Sequence, residues 1–301
     1  MVEAKTLRAE YDALKERASE TLKGGNLHAA LEEFDRAHAV ARRLAERNLE
    51  DIAFCNRSAV AIRLGLDDGC VRVLRQMLLR TADPQVAYLS AYNLSRACDN
   101  CKDYRKALFY ARIAHRYAIE LGDVEQEASA LNWIGNALVA LNDFGGGLEE
   151  YRKADVLIRD EESERRSVIL TNLGYCLLLL GETNDGFRSV VRGLRMARRV
   201  QAPLAESLSH LCLSFAHLQG GRPWYAVRHG AEALELAEQH GDPPIMKLAL
   251  LLLGEAYKQG DKVPAALECF ELLQQTYYPG MSQVPEMLLG LDICRIINLR
   301  G

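Results

Sequence analysis

Cys98 and Cys101 form the only C-x-x-C spacing in the chain, a pattern that serves a dithiol redox couple or half of a zinc site. Zinc sites of this type need a second ligand pair at matching spacing, and the remaining cysteines do not supply one. Cys98 falls inside an apolar helical pattern, so it reads as a small, soft core side chain. His210 and His217 lie seven residues apart with Cys212 between them, on one face of a helix. They stand where neighbouring segments carry apolar side chains, so they read as core histidines rather than metal ligands. Gly145-Gly146-Gly147 follows Asp143-Phe144. With no strand before it, the run reads as a tight interhelical turn rather than a phosphate cradle. H-E-x-x-H, G-x-S-x-G, Walker and dinucleotide-binding motifs do not occur. A non-enzymatic chain without metal or cofactor is expected.

Arg188, Arg192, Arg195 and Arg199 recur at helical spacing and make a basic stripe. It reads first as a solvated face, partly neutralised by Asp160, Glu161, Glu162 and Glu164, and second as a docking face for an acidic partner. Aromatic residues are not interleaved with these arginines, which argues against nucleic acid. The overall balance agrees: 37 Lys and Arg against 41 Asp and Glu give a formal charge of −4, too small to steer the chain to nucleic acid or an anionic membrane. Residues 1–20 mix charges throughout and lack the apolar region of a signal peptide. Apolar runs such as Leu177–Leu180 and Leu248–Leu253 are far shorter than the ~20 residues of a membrane span. Scattered cysteines read as reduced thiols, so a cytoplasmic location is expected.

The elements that position these residues follow from an internal repeat. LNWIGNALVALNDFGGGLEEYRKA (131–154), LTNLGYCLLLLGETNDGFRSVVRG (170–193) and LLLLGEAYKQGDKVPAALECFELL (250–273) share one frame. Each has a small residue in mid-helix, a turn seven residues on, and a second small residue five later. In that frame the mid-helix small residues are Ala18, Ser58, Ser95, Gly135, Gly174, Ser214 and Gly254, at intervals of 37 to 40 residues. Apolar side chains at i, i+3, i+4 and i+7, as in Leu131, Ile134, Gly135 and Leu138, predict amphipathic helices. Turns with positive φ are expected at Gly25, Gly65, Gly181, Gly221 and Gly260. The second small residues (Ala30, Cys70, Ala107, Gly147, Gly186, Ala226, Ala266) let paired helices approach closely. Asp83-Pro84 and Asp242-Pro243 predict capped helix starts. The fold is therefore expected to be all-α, with its core between neighbouring units.

The pattern resembles the tetratricopeptide repeat, a helix–turn–helix unit with small residues at its eighth, twentieth and twenty-seventh positions. Those fall here on Gly135, Gly147 and Ala154, and on Ser95, Ala107 and Ala114. The period is about 40 residues instead of the usual ~34. That longer form is similar to repeats of kinesin light chains, spindle-orientation adaptors and bacterial peptide-sensing regulators. The resemblance implies a right-handed superhelical α-solenoid of about seven helix pairs plus a C-terminal helix. The array spans 1–283, with units near 11–48, 50–82, 85–122, 125–160, 164–201, 204–241 and 244–278. The second unit departs from the pattern, with Arg57 at a normally apolar position.

In such a superhelix the first helices line the concave groove. Asn56, Asn93 and Asn172 recur at the sixth position of their units, with Asn132 and Asn136 nearby in the fourth. An Asn amide carries donor and acceptor together and can pair with a peptide backbone, and mid-helix Asn is a poor helix former that asks for a reason. The row resembles the asparagine ladder of the long-repeat adaptors. Capping of carbonyls within the chain is the competing reading. Tyr92 and Arg96 join the early, mixed part of the groove, while Tyr175, Leu211 and Phe215 belong to its apolar late part and would take apolar side chains.

The resulting expectation is a protein-interaction module that binds a peptide or partner helix in the groove, with no nucleic acid and no membrane. A regulatory sensor controlling an attached or separate output domain is the first alternative, and a self-assembling structural subunit the second. Residues 284–301 are expected to form one helix, half of an eighth unit or a cap. Its stripe of Leu289, Ile293, Ile296 and Ile297 suits packing on the seventh unit. Leu288, Leu291 and Leu299 add apolar area on the other side, to be covered by a second protomer, by the late groove or by further polypeptide.

Overall fold

A computed structural model describes residues 2–66 and 69–299, with side chains from residue 4 onward; Arg300 and Gly301, the end of the expected last helix, lie outside the described residues. Among the described residues every regular element is a helix and no strand occurs. The chain divides into two compact units, Met1–Glu161 and Glu162–Gly301.

Unit 1 contains four helix pairs: α1 (Val2–Lys23) with α2 (Leu27–Leu44), α3 (Arg47–Arg63) with α4 (Cys70–Arg80), α5 (Pro84–Asn100) with α6 (Tyr104–Leu121), and α7 (Val124–Ala140) with α8 (Phe144–Leu157). Unit 2 contains three: α9 (Glu164–Leu179) with α10 (Thr183–Arg199), α11 (Pro203–Gln219) with α12 (Pro223–His240), and α13 (Pro243–Gln259) with α14 (Val263–Tyr277). Two short helices follow, α15 (Val284–Gly290) and α16 (Ile293–Ile296). Within each unit a second helix packs on the next first helix, and first helices also meet one another. The fold is an all-α repeat solenoid of helix pairs.

Helix starts follow the cap chemistry. Asp83 Oδ1 accepts from the amides of Gln85 and Val86 at 2.8 and 3.2 Å, just ahead of Pro84 in the first turn. Asp103, Asp123 and Asp143 cap α6, α7 and α8 in the same manner, each satisfying amides that a helix leaves open. The small residues do what close approach requires. A Cβ on Gly174 would stand 2.7 Å from the Gly186 carbonyl, and one on Gly186 would stand 2.8 Å from the Gly174 carbonyl. Where Ser replaces Gly, the hydroxyl reaches across the same gap. Ser95 donates to the Ala107 carbonyl and Ser214 to the Ala226 carbonyl, both at 2.9 Å.

Two sequence expectations change, and the irregularity of the second pair extends further than its sequence indicates. Gly260 has φ −88°, and the left-handed residue of that turn is Asp261 at 56°. The chain closes by bonding the Lys262 amide to the Tyr257 carbonyl at 2.8 Å, which fixes the residue after Gly260 as the one that must turn. The second pair is irregular beyond Arg57: α4 packs mainly on α5 rather than on α3, and the buried Ser58 hydroxyl lacks the carbonyl partner of Ser95 and Ser214. Arg57 itself is half-buried and pairs with Asp35 of α2. Finally, the segment after residue 283 is not one helix. Leu291 is extended (φ −98°, ψ 147°) between α15 and α16. Leu288 and Ile293 are buried in a cluster with Leu250, Phe270 and Leu273, while Leu291 and Ile296 are exposed. The break turns Ile293 into the cluster, so Leu288 is covered within the chain.

Candidate functional site

Asn93, Asn132, Asn136 and Asn172 are all buried, at 1 to 7% exposure. Asn93 Nδ2 donates to the Cys55 carbonyl at 2.7 Å, and Asn100 Nδ2 donates to the Ile62 carbonyl at 2.7 Å. Both bonds run from α5 to α3, spanning 38 residues. Asn136 Oδ1 accepts from the Tyr151 hydroxyl at 2.8 Å within its own pair. For Asn93 and Asn136 the competing reading holds, since each amide is bonded to another helix of the chain, and Asn132 and Asn172 are buried beside them. Asn56 alone of the row stays half-buried.

Unit 1 instead presents an aromatic and basic cluster on its first helices. Tyr92 and Arg96 of α5 and Trp133 of α7 are each half-buried. The Trp133 indole N–H donates to the Tyr92 hydroxyl at 2.9 Å, with the rings edge to face. The Arg96 guanidinium stands 5.8 Å from the Trp133 ring centroid. Tyr88 stacks on Tyr92 with centroids 5.7 Å apart and donates to the Gln126 carbonyl. A polarised indole, a guanidinium and a phenol thus share one partly open surface. Trp133 was not among the residues expected there. It occupies the sixth position of its unit, where its neighbours carry Asn56 and Asn93, and that substitution in the row was the available signal.

In unit 2 the three expected contact residues are covered. Tyr175, Leu211 and Phe215 are at most 1% exposed. Tyr175 lies edge to face with Phe215 at 5.4 Å. Its hydroxyl accepts from the Leu299 amide at 2.8 Å and donates to Asn298 Oδ1 at 3.2 Å. Lys258 of α13 pairs with Glu255 at 2.6 Å and donates to the carbonyls of Leu288, at 3.3 Å, and Leu291. Helix α16 packs against α11 and α13. The C-terminal segment therefore crosses the first-helix face of unit 2 from α13 to α9.

His210 and His217 are buried, and the half-buried His229 of α12 lies against both rings. His210 Nδ1 lies 2.9 Å from His229 Nδ1, so one ring donates and the other accepts. His217 stacks on His229 with planes 7° apart. Burial, with Arg198 and Arg228 nearby, lowers the His210 pKa to about 4; burial and the neighbouring His210 and His217 bring His229 to about 4. Among the described residues no group of three or more His, Cys, Asp or Glu side chains is placed to hold a metal ion. Cys98 is buried and its thiol pKa is raised by that burial, whereas Cys101 is exposed at the end of α5.

The basic stripe opens on a groove of about 650 Å³ between α9 and α10, lined by Arg166, Arg192, Arg195, Arg198 and Arg199. Arg199 pairs with Glu162 and Arg198 with Glu206, both at 2.7 Å. Arg188 lies apart and pairs with Asp185. The glycine run is structural: Gly146 donates its amide to the Asp143 cap at 2.9 Å, and a Cβ on Gly147 would meet Val139 at 2.6 Å.

No protein-family model and no curated protein sequence matches the chain. Solved structures do resemble it. A Rap protein complexed with competence and sporulation factor superposes with a TM-score of 0.70 over 93% of this chain and 76% of its own, at 13% identity. Aspartyl phosphate phosphatase F from Bacillus subtilis gives 0.60 over 89% of this chain and 76% of its own, at 13% identity. A tetratricopeptide repeat protein from Parabacteroides merdae gives 0.54 over 93% and 97%, at 16% identity. These likenesses show the fold, a tetratricopeptide-type repeat array of helix pairs. No helix among the described residues is long and apolar enough to cross a membrane.

Proposed function

We propose that the chain is a non-enzymatic protein-interaction module that holds a segment of a partner protein on the first-helix faces of its repeats. The observation that carries this reading is the cluster of Tyr92, Arg96 and Trp133. Tyr, Trp and Arg are the side chains that dominate binding energy at interfaces. Here they are half-buried, mutually held and aligned on successive first helices. Trp and Tyr offer a large apolar surface at little cost in side-chain entropy, and Arg96 adds a charge that a partner carboxylate or backbone carbonyl can meet. Asn56, half-buried on α3, extends the same row.

The Rap protein of similar fold is complexed with a competence and sporulation factor, which supports the reading by analogy of fold alone. The test is affinity capture of partners on the immobilised full chain, followed by titration of one purified partner. Trp133→Ala and Arg96→Ala are each expected to weaken that partner at least tenfold, with unchanged helix content. Equal affinity for wild type and both variants would overturn this surface as the site.

A further inference from the structure

The C-terminal segment of unit 2 is bound in the way a peptide is bound rather than packed as a repeat helix is packed. A repeat helix pairs along its length with a partner helix. Residues 291–299 contain only the four-residue α16, flanked by extended Leu291 and Ile297. The segment is held at separated points. One is apolar: Ile293 is 1% exposed in the cluster with Leu250 and Phe270, and Ile297 packs on the same cluster. The others are polar and largely to the main chain. Lys258 takes the Leu288 and Leu291 carbonyls, and the Tyr175 hydroxyl takes the Leu299 amide and the Asn298 side chain. Main-chain hydrogen bonds combined with pockets for a few anchor side chains are one of the general modes of peptide capture. Between these points Leu291, Arg295 and Ile296 face solvent. Few buried contacts over nine residues also mark a segment that opens ahead of the rest of the fold.

We propose that residues 291–299 are an intrachain ligand of the first-helix face of unit 2, and that an external segment of the same chemistry displaces them. That segment carries two branched apolar residues four apart, as Ile293 and Ile297, and a main-chain N–H two residues further on for Tyr175. The existence of an external partner rests on the function proposed above; the occupancy of this face by the chain's own tail does not. While the tail is seated, Tyr175 has no hydroxyl left for a ligand, so affinity at this face is reduced by the fraction of molecules with the tail in place.

The test uses the full chain and a synthetic peptide, LDISRIINL, which is residues 291–299 with Ser for Cys294. Cys294 is half-buried in the seated tail beside Gln259, so its alkylation rate, followed by mass spectrometry, reports tail release. The peptide is expected to raise that rate severalfold, and a scrambled peptide to leave it unchanged. Leu299→Pro, which removes the amide donated to Tyr175, is expected to raise the rate without peptide and to bind fluorescent peptide at least tenfold tighter than wild type does. Ile293→Asp is expected to do the same, and Leu299→Pro covers the case in which Ile293→Asp disturbs the cluster. Equal binding to wild type and Leu299→Pro, or no binding to either, would overturn the proposal. The function proposed above is judged separately: a captured partner that still depends on Trp133 leaves that reading standing when the tail peptide fails.

Discussion

The Asn93 side chain donates to the Cys55 carbonyl at 2.7 Å, from one first helix to the first helix of the preceding pair. Both residues are buried. An asparagine at this position therefore fixes the spacing of successive pairs, and Asn100 repeats the device seven residues on with Ile62.

The first prediction follows from that bond. Asn93→Ala is expected to cost about 0.5–1.5 kcal/mol of stability, the net worth of one hydrogen bond. Asn56→Ala, at a half-buried position, is expected to stay within about 0.5 kcal/mol. Urea unfolding of both variants checks this, and equal, negligible losses would mean that the buried amide does no structural work.

The second concerns pH. His210 and His229 have folded pKa values of about 4, below the ~6.5 of an exposed histidine. Between these limits the unfolded chain binds more protons than the folded one, so stability rises with pH across the window. It is complete above pH ~6.5 and is lost as pH falls toward 4, by on the order of 3 kcal/mol for His210 taken alone. Melts at pH 7 and 4.5 should show the loss in wild type and a smaller one in His210→Gln with His229→Gln. Parallel losses in both proteins would assign acid sensitivity to other groups.

Much of this architecture was legible because it rests on spacing. Small residues every 37 to 40 positions have one steric cause, the near contact of paired helices seen at Gly174 and Gly186. The site was less legible because it depends on which partner a side chain finds. Nothing local distinguishes an Asn that bonds a carbonyl on the preceding pair from one that faces a ligand. Nor does the pattern of residues 284–299 reveal that Leu291 is extended. An apolar stripe continues through it, and the groups that hold the main chain at Leu291 and Leu299, Lys258 and Tyr175, are both distant in sequence.

The third prediction contrasts two glycines. A methyl on Gly174 would meet backbone on the facing helix at 2.7 Å, whereas Gly145 has open space around it. Gly174→Ala is expected to cost about 1–3 kcal/mol through overpacking. Gly145→Ala, in the first turn of α8, is expected to add up to about 1 kcal/mol by reducing unfolded-state freedom. Reversal of this order in thermal melts would refute the close-approach account of the repeat's small residues.

The fourth concerns the C-x-x-C pair. Alkylation in the native state is expected to modify Cys101 first, because it is exposed, and Cys98 much more slowly, because burial both hides its thiol and raises its pKa. Peptide mapping after brief iodoacetamide treatment gives the order. Joint protection of both thiols, relieved by a chelator, would point to a metal instead.

The last prediction separates binding from structure at the unit 1 cluster. The chain has two tryptophans, and Trp224 is 55% exposed, so Trp224→Phe leaves Trp133 as the single indole reporter at little cost in stability. The Trp133 ring is half-buried, with its N–H on Tyr92 and the Arg96 guanidinium over its face. A partner segment laid on this surface removes the remaining water from the ring and shifts its emission to the blue. Arg96→Ala in that background is expected to lower stability by only about 0.5–1 kcal/mol, the worth of an exposed cation–π contact. A loss of partner affinity of tenfold or more, which corresponds to about 1.4 kcal/mol, would exceed that structural cost. Titration of a captured partner against both proteins, with the Trp133 emission as readout, decides it. An unshifted emission at saturation would place the partner elsewhere on the chain.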